Sequence, residues 1–194
     1  MINTSMQFEL EYDDEGSNLK TGISYRYLDL IEDIGFTYNP LNLSYGGDYR
    51  NQQHVPGVFA ENVLNFANSN ATWIAGARLD WHDDFGLKFT PRTLIKYNVT
   101  EFTTVRASVG YGWRVVNVFP EIPNLLASNR DVIFTEELKP EEAINTGVSL
   151  LHSIYTDPVS IKLSADFYHT RFLNQIFPDY DTDSRLAIIE NYRG

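Results

Sequence analysis

The dominant period in this sequence is two. Over residues 6–12, Met6, Phe8, Leu10 and Tyr12 alternate with Gln7, Glu9 and Glu11, as in a strand with one apolar and one polar face. The run Asp13-Asp14-Glu15-Gly16-Ser17 reads as a turn. Leu19, Thr21, Ile23, Tyr25 and Tyr27 then alternate with Lys20, Gly22, Ser24 and Arg26, completing a hairpin. A third strand near 54–64 leaves its facing open: Val58 and Ala60 point outward with Phe59 and Glu61 inward, or the reverse. In the fourth, Trp73, Ala75, Ala77, Leu79 and Trp81 oppose Ile74, Gly76, Arg78, Asp80 and His82. In the fifth, Leu87, Phe89, Pro91, Thr93, Ile95 and Tyr97 oppose Lys88, Thr90, Arg92, Leu94 and Lys96. The sixth sets Val105, Ala107, Val109, Tyr111, Trp113 and Val115 against Thr104, Arg106, Ser108, Gly110, Gly112 and Arg114. A seventh lies near 142–152, an eighth over 160–176, and a ninth begins near Leu186 and is cut off at Gly194. No long helical period interrupts the series, which predicts an all-β chain of antiparallel, up-and-down hairpins.

Connection lengths add a direction. Short turns alternate with longer connections, and the two long loops, about 29–53 and 116–141, leave the same side of the sheet. Outer-membrane barrels have this asymmetry, although a soluble sandwich shows it by chance. Composition narrows the classes further. The 26 acidic residues against 15 basic ones give a formal charge of −11, and no basic stripe is present, so no nucleic-acid partner is expected. With no cysteine, disulfides, thiolate metal sites, Fe–S clusters and cysteine nucleophiles are excluded. Mean hydropathy is −0.29 and no apolar run is long enough for a membrane helix. That test is blind to a transmembrane barrel, whose lipid-facing and lumen-facing residues alternate. The first five residues carry no signal-peptide pattern, as expected of a mature protein or an internal segment.

The apolar faces end in aromatic residues. Trp73 and Trp81 stand eight residues apart, about 26 Å along a strand and roughly 19 Å across the membrane at a 45° tilt, near the ~25 Å apolar band of a barrel. Tyr97 ends the fifth strand on the turn side, and Tyr111 and Trp113 end the sixth on the long-loop side. Aromatics at both rims of an apolar band are what two lipid–water interfaces select; the core of a sandwich also takes them. The opposite faces carry Lys20, Arg26, Arg78, Asp80, Lys88, Arg92, Lys96, Arg106, Arg114, Lys162 and Asp166. A wet lumen and an exposed sandwich face both tolerate such a set. Taken together, the two faces favour a transmembrane barrel over a β-sandwich.

An ordered series of motifs carries a family resemblance. Phe89-Thr90-Pro91-Arg92 through Lys96-Tyr97, then Thr104-Val105-Arg106-Ala107-Ser108-Val109-Gly110-Tyr111-Gly112-Trp113-Arg114, resemble consecutive strands of TonB-dependent outer-membrane receptors. The similarity continues through Asn124-Leu125-Leu126-Ala127-Ser128, Leu138-Lys139-Pro140-Glu141, Asn145, Gly147, Leu163-Ser164-Ala165-Asp166-Phe167-Tyr168 and Asn174-Gln175-Ile176. Val55-Pro56-Gly57-Val58-Phe59-Ala60-Glu61 is similar to a strand start of the family. The match spans about 55–194, and Leu-Lys-Pro-Glu is its best single marker. The sequence departs from the pattern at Trp113, usually Phe, and at Val115-Val116, often a small residue then Pro.

The resemblance implies eight to nine strands from the middle-to-late part of a barrel of about 22 strands whose lumen is plugged. Residues 1–194 would then be a partial barrel domain without the plug. It implies a receptor in the outer membrane that takes up a scarce nutrient, such as a siderophore, cobalamin or similar chelate, on energy from the inner membrane. Its partners would be outer-membrane lipid, the energy-coupling complex acting through the plug, and a small nutrient ligand. No cofactor is implied. The long loops would contribute to ligand capture, and Arg78, Asp80, Arg92, Arg106 and Arg114 would line the lumen.

Other constellations are weaker. Asp179, Asp181, Asp183 and Glu190 fall at calcium-loop offsets, but Ser184 occupies the position that needs Gly and no helical pattern flanks the segment. An acidic loop entering the ninth strand is the simpler expectation, with no metal. His54, His82, His152 and His169 have no paired-ligand spacing, and His82-Asp83-Asp84 reads as a polar hairpin. No nucleophile elbow or acid/base pair stands out, so an enzyme is not expected. Two alternatives remain beside the receptor: a cell-surface β-sandwich binding module and a small structural outer-membrane barrel.

Overall fold

The computed structural model describes residues 1–34, 47–66, 68, 70–127 and 130–193. Alternation becomes backbone in β1 (Ile2–Asp14), β2 (Ser17–Ile34), β3 (Gly47–Phe66), β4 (Ala71–His82), β5 (Gly86–Thr100) and β6 (Thr103–Arg114). After two single-turn helices, α1 (Val118–Glu121) and α2 (Asn124–Ala127), come β7 (Asp131–Phe134), β8 (Glu141–Thr156), β9 (Val159–Asp179) and β10 (Leu186–Tyr192). They form one ten-stranded sheet in the order β1-β2-β3-β4-β5-β6-β8-β9-β10-β7. Every pairing is antiparallel between neighbours in that order except β10 with β7, which is parallel. The β1–β2 turn is tight because Gly16 adopts φ 82°, a region closed to most side chains.

Register sorts the side chains onto two faces, because residues directly opposite in a pair share a face. One row reads Phe8–Ile23–Val58–Leu79–Phe89, and another Ile95–Ala107–Val148–Phe167. The opposite face holds the row Lys20–Glu61–Gly76–Arg92–Gly110. These pairings resolve the facing of β3: Val58 and Ala60 join the apolar face, Phe59 and Glu61 the polar one.

Nothing covers the apolar face among the described residues. Met6, Phe8, Leu10, Ile23, Val58, Leu87, Phe89, Leu163 and Phe167 all stay exposed on a single sheet. A sandwich buries such a face under a second sheet, so the sandwich architecture is not what forms. The compact hydrophobic core lies elsewhere, in the connection between β6 and β8. Val118, Phe119, Leu125 and Val132 bury against Ile176, Ala187 and Ile189 of β9 and β10.

Two expectations about the loops change. The 29–53 loop is shorter than alternation suggested: β2 runs to Ile34, β3 starts at Gly47, and the middle lies outside the described residues. The 116–141 loop carries α1, α2 and β7. Its strand was hidden because β7 has four residues and pairs with β10, more than fifty positions away in sequence.

Candidate functional site

Cross-strand charge pairing organises the polar face. Lys20 reaches Glu9 at 3.8 Å and Glu11 at 3.6 Å, and Asn18 Nδ2 donates to Glu11 at 2.7 Å. Arg92 pairs with Glu61. Arg78 Nε donates to both Asp80 oxygens at 2.8 Å while its Nη2 donates to Ser24 Oγ at 2.7 Å. Glu9, Lys20, Glu61, Arg78 and Arg92 rim a hollow of about 320 Å³. Most of these groups are well exposed, so each pair adds at most ~1 kcal/mol. Their combined effect is a wet, charged wall without a single dominant charge.

Gly57 shows how closely this wall is fitted. A Cβ at Gly57 would collide with Asp80 Oδ1, so only glycine leaves room for the carboxylate under Arg78. Gly57→Ala is expected to destabilise by about 1–3 kcal/mol through overpacking. Gly112→Ala, where a Cβ meets nothing within 4 Å, serves as the near-neutral reference. Chemical denaturation of both variants beside the parent protein checks the difference.

At the end where the long loops leave, charged and aromatic groups converge. Pairing of β6 with β5 stops at Gly110–Arg92 while pairing with β8 runs on to Arg114–Glu141, so beyond Gly110 the β5 side of β6 is open. The Trp113 ring therefore meets groups from three non-adjacent or divergent strands: Arg26 at 6.0 Å and Lys88 at 5.9 Å from its centroid, and the His82 ring edge-on at 5.9 Å and 84°. Lys88 Nζ donates to Glu142 Oε1 at 2.8 Å, and Glu142 stands opposite Trp113 in the β6–β8 register. His82 is fully buried; its Nδ1 accepts the Asp84 N–H at 3.1 Å, which leaves the proton on Nε2. That buried Nε2 has no hydrogen-bond partner among the described residues.

The Leu138-Lys139-Pro140-Glu141 motif joins the loop core to the wall. Leu138 packs on the core, and Asn191 holds the Lys139 backbone at both ends: Lys139 N–H donates to Asn191 Oδ1 at 2.8 Å and Asn191 Nδ2 to Lys139 O at 3.0 Å. Asn174 Nδ2 donates to Pro140 O at 2.8 Å. Glu141 is buried; its Oε1 accepts the Ile176 N–H at 3.0 Å and its Oε2 accepts Arg114 Nε at 2.8 Å. Side chains thus replace ladder hydrogen bonds at the point where the β8–β9 register shifts beside Glu142. The hydrogen-bonding roles of Glu141, Asn174 and Asn191 do not follow from alternation, although a polar residue just before a strand is a signal for such capping.

The residues singled out from the sequence fall as follows. Arg78, Asp80 and Arg92 share the polar face and are paired there. Arg106 lies on that face opposite Lys96 and Ser149, with no ion pair among the described residues. Arg114 binds Glu141 and Glu121. Trp73, Trp81 and Tyr97 stand on the apolar face, 40%, 54% and 49% exposed, with Trp73 Nε1 donating to Thr93 Oγ1 at 2.7 Å. Beyond the Trp81 end the same face turns polar, with Tyr25 OH 2.6 Å from His54 Nδ1 and Arg50 forked onto Asp29 at 2.9–3.0 Å. Tyr111 and Trp113, expected at a membrane interface, lie at the charged cluster, with Trp113 opposite Glu142 and its ring near Arg26 and Lys88. His82-Asp83-Asp84 does form the β4–β5 hairpin turn, with His82 opposite Gly86, and the buried His82 ring packs beside Phe85 and Trp113.

The acidic segment builds a turn. Asp179 accepts the N–H groups of Asp181 and Thr182 at 2.7 and 3.2 Å and the Thr182 hydroxyl. The Thr182 hydroxyl, then those N–H groups, hold the Asp179 carboxyl below the usual carboxylate range. Asp183 accepts the Arg185 N–H at 2.8 Å, Asp181 is exposed, and Glu190 sits on β10 opposite Phe177. No group of three or more such residues is assembled for a metal ion among the described residues.

A single twisted sheet with a bare apolar face, a paired charged face and long loops at one end defines a segment of a membrane β-barrel wall. Residues 2–193 match the family model described as TonB dependent receptor-like, beta-barrel. The chain belongs to this family, whose members are transport receptors, and its strands are part of an outer-membrane barrel. An iron-regulated outer membrane virulence protein of Vibrio cholerae is 27% identical over 103 residues, 52% of this chain and 15% of that protein. The fold is similar to the siderophore receptor PirA of Pseudomonas aeruginosa, with TM-score 0.69 and 17% identity over 99% of this chain and 37% of that one. It is also similar to a mutant of the ferric enterobactin receptor PfeA of the same organism (TM-score 0.67, 14% identity, 98% of this chain and 31% of that one). The FrpB iron transporter of Neisseria meningitidis gives TM-score 0.64 and 15% identity over 96% and 30% of the two chains. The chain thus spans less than two-fifths of the solved receptors it resembles.

Proposed function

We propose that this chain is part of the wall of an outer-membrane receptor that imports a scarce nutrient chelate, a siderophore complex, cobalamin or a similar molecule. Energy reaches it from the inner membrane through a plug held inside the barrel. Residues 1–194 contribute middle-to-late strands of that barrel, and the apolar face meets lipid. Trp73, Trp81 and Tyr97 lie at the lipid–water interfaces, and Arg78, Asp80, Arg92 and Arg106 line the interior against the plug. The loops around 29–53 and 116–141 belong to the ligand-capturing mouth. The observation that carries this reading is the division of one sheet into a bare apolar face and a charge-paired face, which only two different solvents explain. The chain's structural likeness to siderophore receptors and an iron transporter supports the chelate class.

The test is radiolabelled uptake in cells with and without the intact protein, using a ferric catecholate, a ferric hydroxamate and cyanocobalamin as probes. Uptake of at least one should be lost on deletion and should stop when a protonophore collapses the inner-membrane gradient. Equal uptake of all three with and without the protein would reject this reading.

A further inference from the structure

Sheet order puts β4 and β5 between β3 and β6, three strand spacings or roughly 14 Å. Even so, Asn51 Nδ2 of β3 donates to Asn117 Oδ1, just after β6, at 2.7 Å. β4 and β5 end at His82 and Gly86, and the turn between them is level with His54, whose N–H donates to Asp83, so the segment after β6 reaches β3 as a chord past the end of this short hairpin. Trp113 reaching Arg26 of β2 follows the same path.

A continuous chain of polar contacts holds that chord. The Ile176 N–H donates to Glu141, Arg114 Nε donates to the other Glu141 oxygen, and Arg114 Nη1 donates to Glu121 Oε2 at 2.7 Å. Glu121 Oε1 in turn accepts the Asn117 N–H at 2.9 Å, which sets the Asn117 side chain toward Asn51. We propose that Arg114 is the latch of a strap, residues 115–121, that closes the long-loop end of the polar face over Arg26, Lys88 and Trp113.

The chemistry fits a latch. A guanidinium fork serves two carboxylates at once, which an ammonium point charge does not do with the same geometry. Glu141 on the wall is buried, whereas Glu121 on the strap and Arg114 itself are open to water. The Arg114–Glu121 link is therefore the one that breaks first. The single turn α1 has no side-chain N-cap and too little length to hold itself as a helix. Val118 and Phe119 anchor the strap to the loop core, so release frees its Asn117 end while the rest stays docked. The inference rests on the polar face being the barrel interior; a failure of that premise would appear in water accessibility along β4, whereas failure of the latch appears only in the cross-link below.

The test is a disulfide cross-link in the intact receptor. Asn51→Cys with Asn117→Cys should cross-link readily under mild oxidation. Adding Arg114→Gln or Glu121→Gln should lower the rate by about fivefold, equivalent to ~1 kcal/mol. A second pair, Thr103→Cys with His152→Cys, lies opposite in β6 and β8 and reports that the wall is folded. Its cross-linking should be the same in every background. If the 103–152 pair forms and the 51–117 pair does not, or if both Gln variants leave the 51–117 rate unchanged, the latch is rejected. Glu121→Gln, which keeps the shape of the side chain, remains decisive if Arg114→Gln fails to fold.

Discussion

Ala60→Arg is expected to lower the stability of the membrane-inserted protein by about 2–4 kcal/mol, the cost of a cation at the lipid-facing midplane of a barrel. Ala60 lies on the apolar face between Thr21 and Ala77, and Ala77 is midway between Trp73 and Trp81. The site is exposed, so in a water-soluble protein the same change would fall within about 0.5 kcal/mol. The neighbouring Glu61 faces the charged wall, and Glu61→Ala there removes an exposed pair worth at most ~1 kcal/mol. Urea titration of the full receptor folded into lipid vesicles reads both. A large loss for Ala60→Arg with a small one for Glu61→Ala is the expected pair; equal small losses would mean that this face does not meet lipid.

The second large effect falls on the loop core. Ile189 has no exposed surface and packs with Leu125, Val132 and Ala187. Truncation to alanine removes buried methyl groups and leaves a cavity, typically 2–5 kcal/mol. The core sits on the β9–β10 end of the sheet, several strands away from β4 and β5, so the loss should be local rather than global. Amide hydrogen exchange distinguishes the two. The Asp131 N–H bonded to Arg185 O and the Thr135 N–H bonded to Ile189 O should exchange about 30-fold faster or more, since 2 kcal/mol is roughly that factor. Amides pairing β4 with β5 should keep their rates. Uniform acceleration in both regions would show that the loop core and wall unfold together.

These two sites also mark how far the sequence could be read. Strand identity and facing follow from period-two alternation wherever both flanking strands stay paired, as in β4 and β5, because the pleat fixes which side chains share a face. Alternation does not give the neighbours of Trp113, because β6 stays paired with β8 but is open on its β5 side after Gly110, where the ring meets Arg26 and Lys88. The facing of β3 was undecided until register with β2 and β4 supplied it. The loop body was missed for a different reason: its members come from α1, α2, β7, β9 and β10, and no local period links them. A signal was present nonetheless. Val116, Val118, Phe119, Ile122, Leu125 and Val132 crowd a stretch otherwise read as an open loop, and long connections with that much apolar content usually carry structure of their own. In the Leu138-Lys139-Pro140-Glu141 motif, the resemblance marked the family, while the structure supplies a physical role: a buried carboxylate and two asparagines replacing a broken ladder.

The acidic balance finds its place in the same picture. Glu9, Glu11, Glu61, Asp80, Glu141 and Glu142 answer the cations of the polar face, and Asp179 and Asp183 shape a turn at the long-loop end. Charge and low mean hydropathy therefore describe one face and one end of the sheet rather than the whole surface.

Site-directed spin labelling along β4 tests the central claim most directly. Single cysteines placed in turn at positions 74–80 of the intact protein in lipid would each carry a nitroxide, with collision rates measured for oxygen, which concentrates in lipid, and for a water-soluble nickel complex. Oxygen accessibility should peak at 75, 77 and 79 and nickel accessibility at 74, 76, 78 and 80, a strict period of two. A flat profile, or nickel reaching 75, 77 and 79 as readily as their neighbours, would contradict the account of one face in lipid and the other in water.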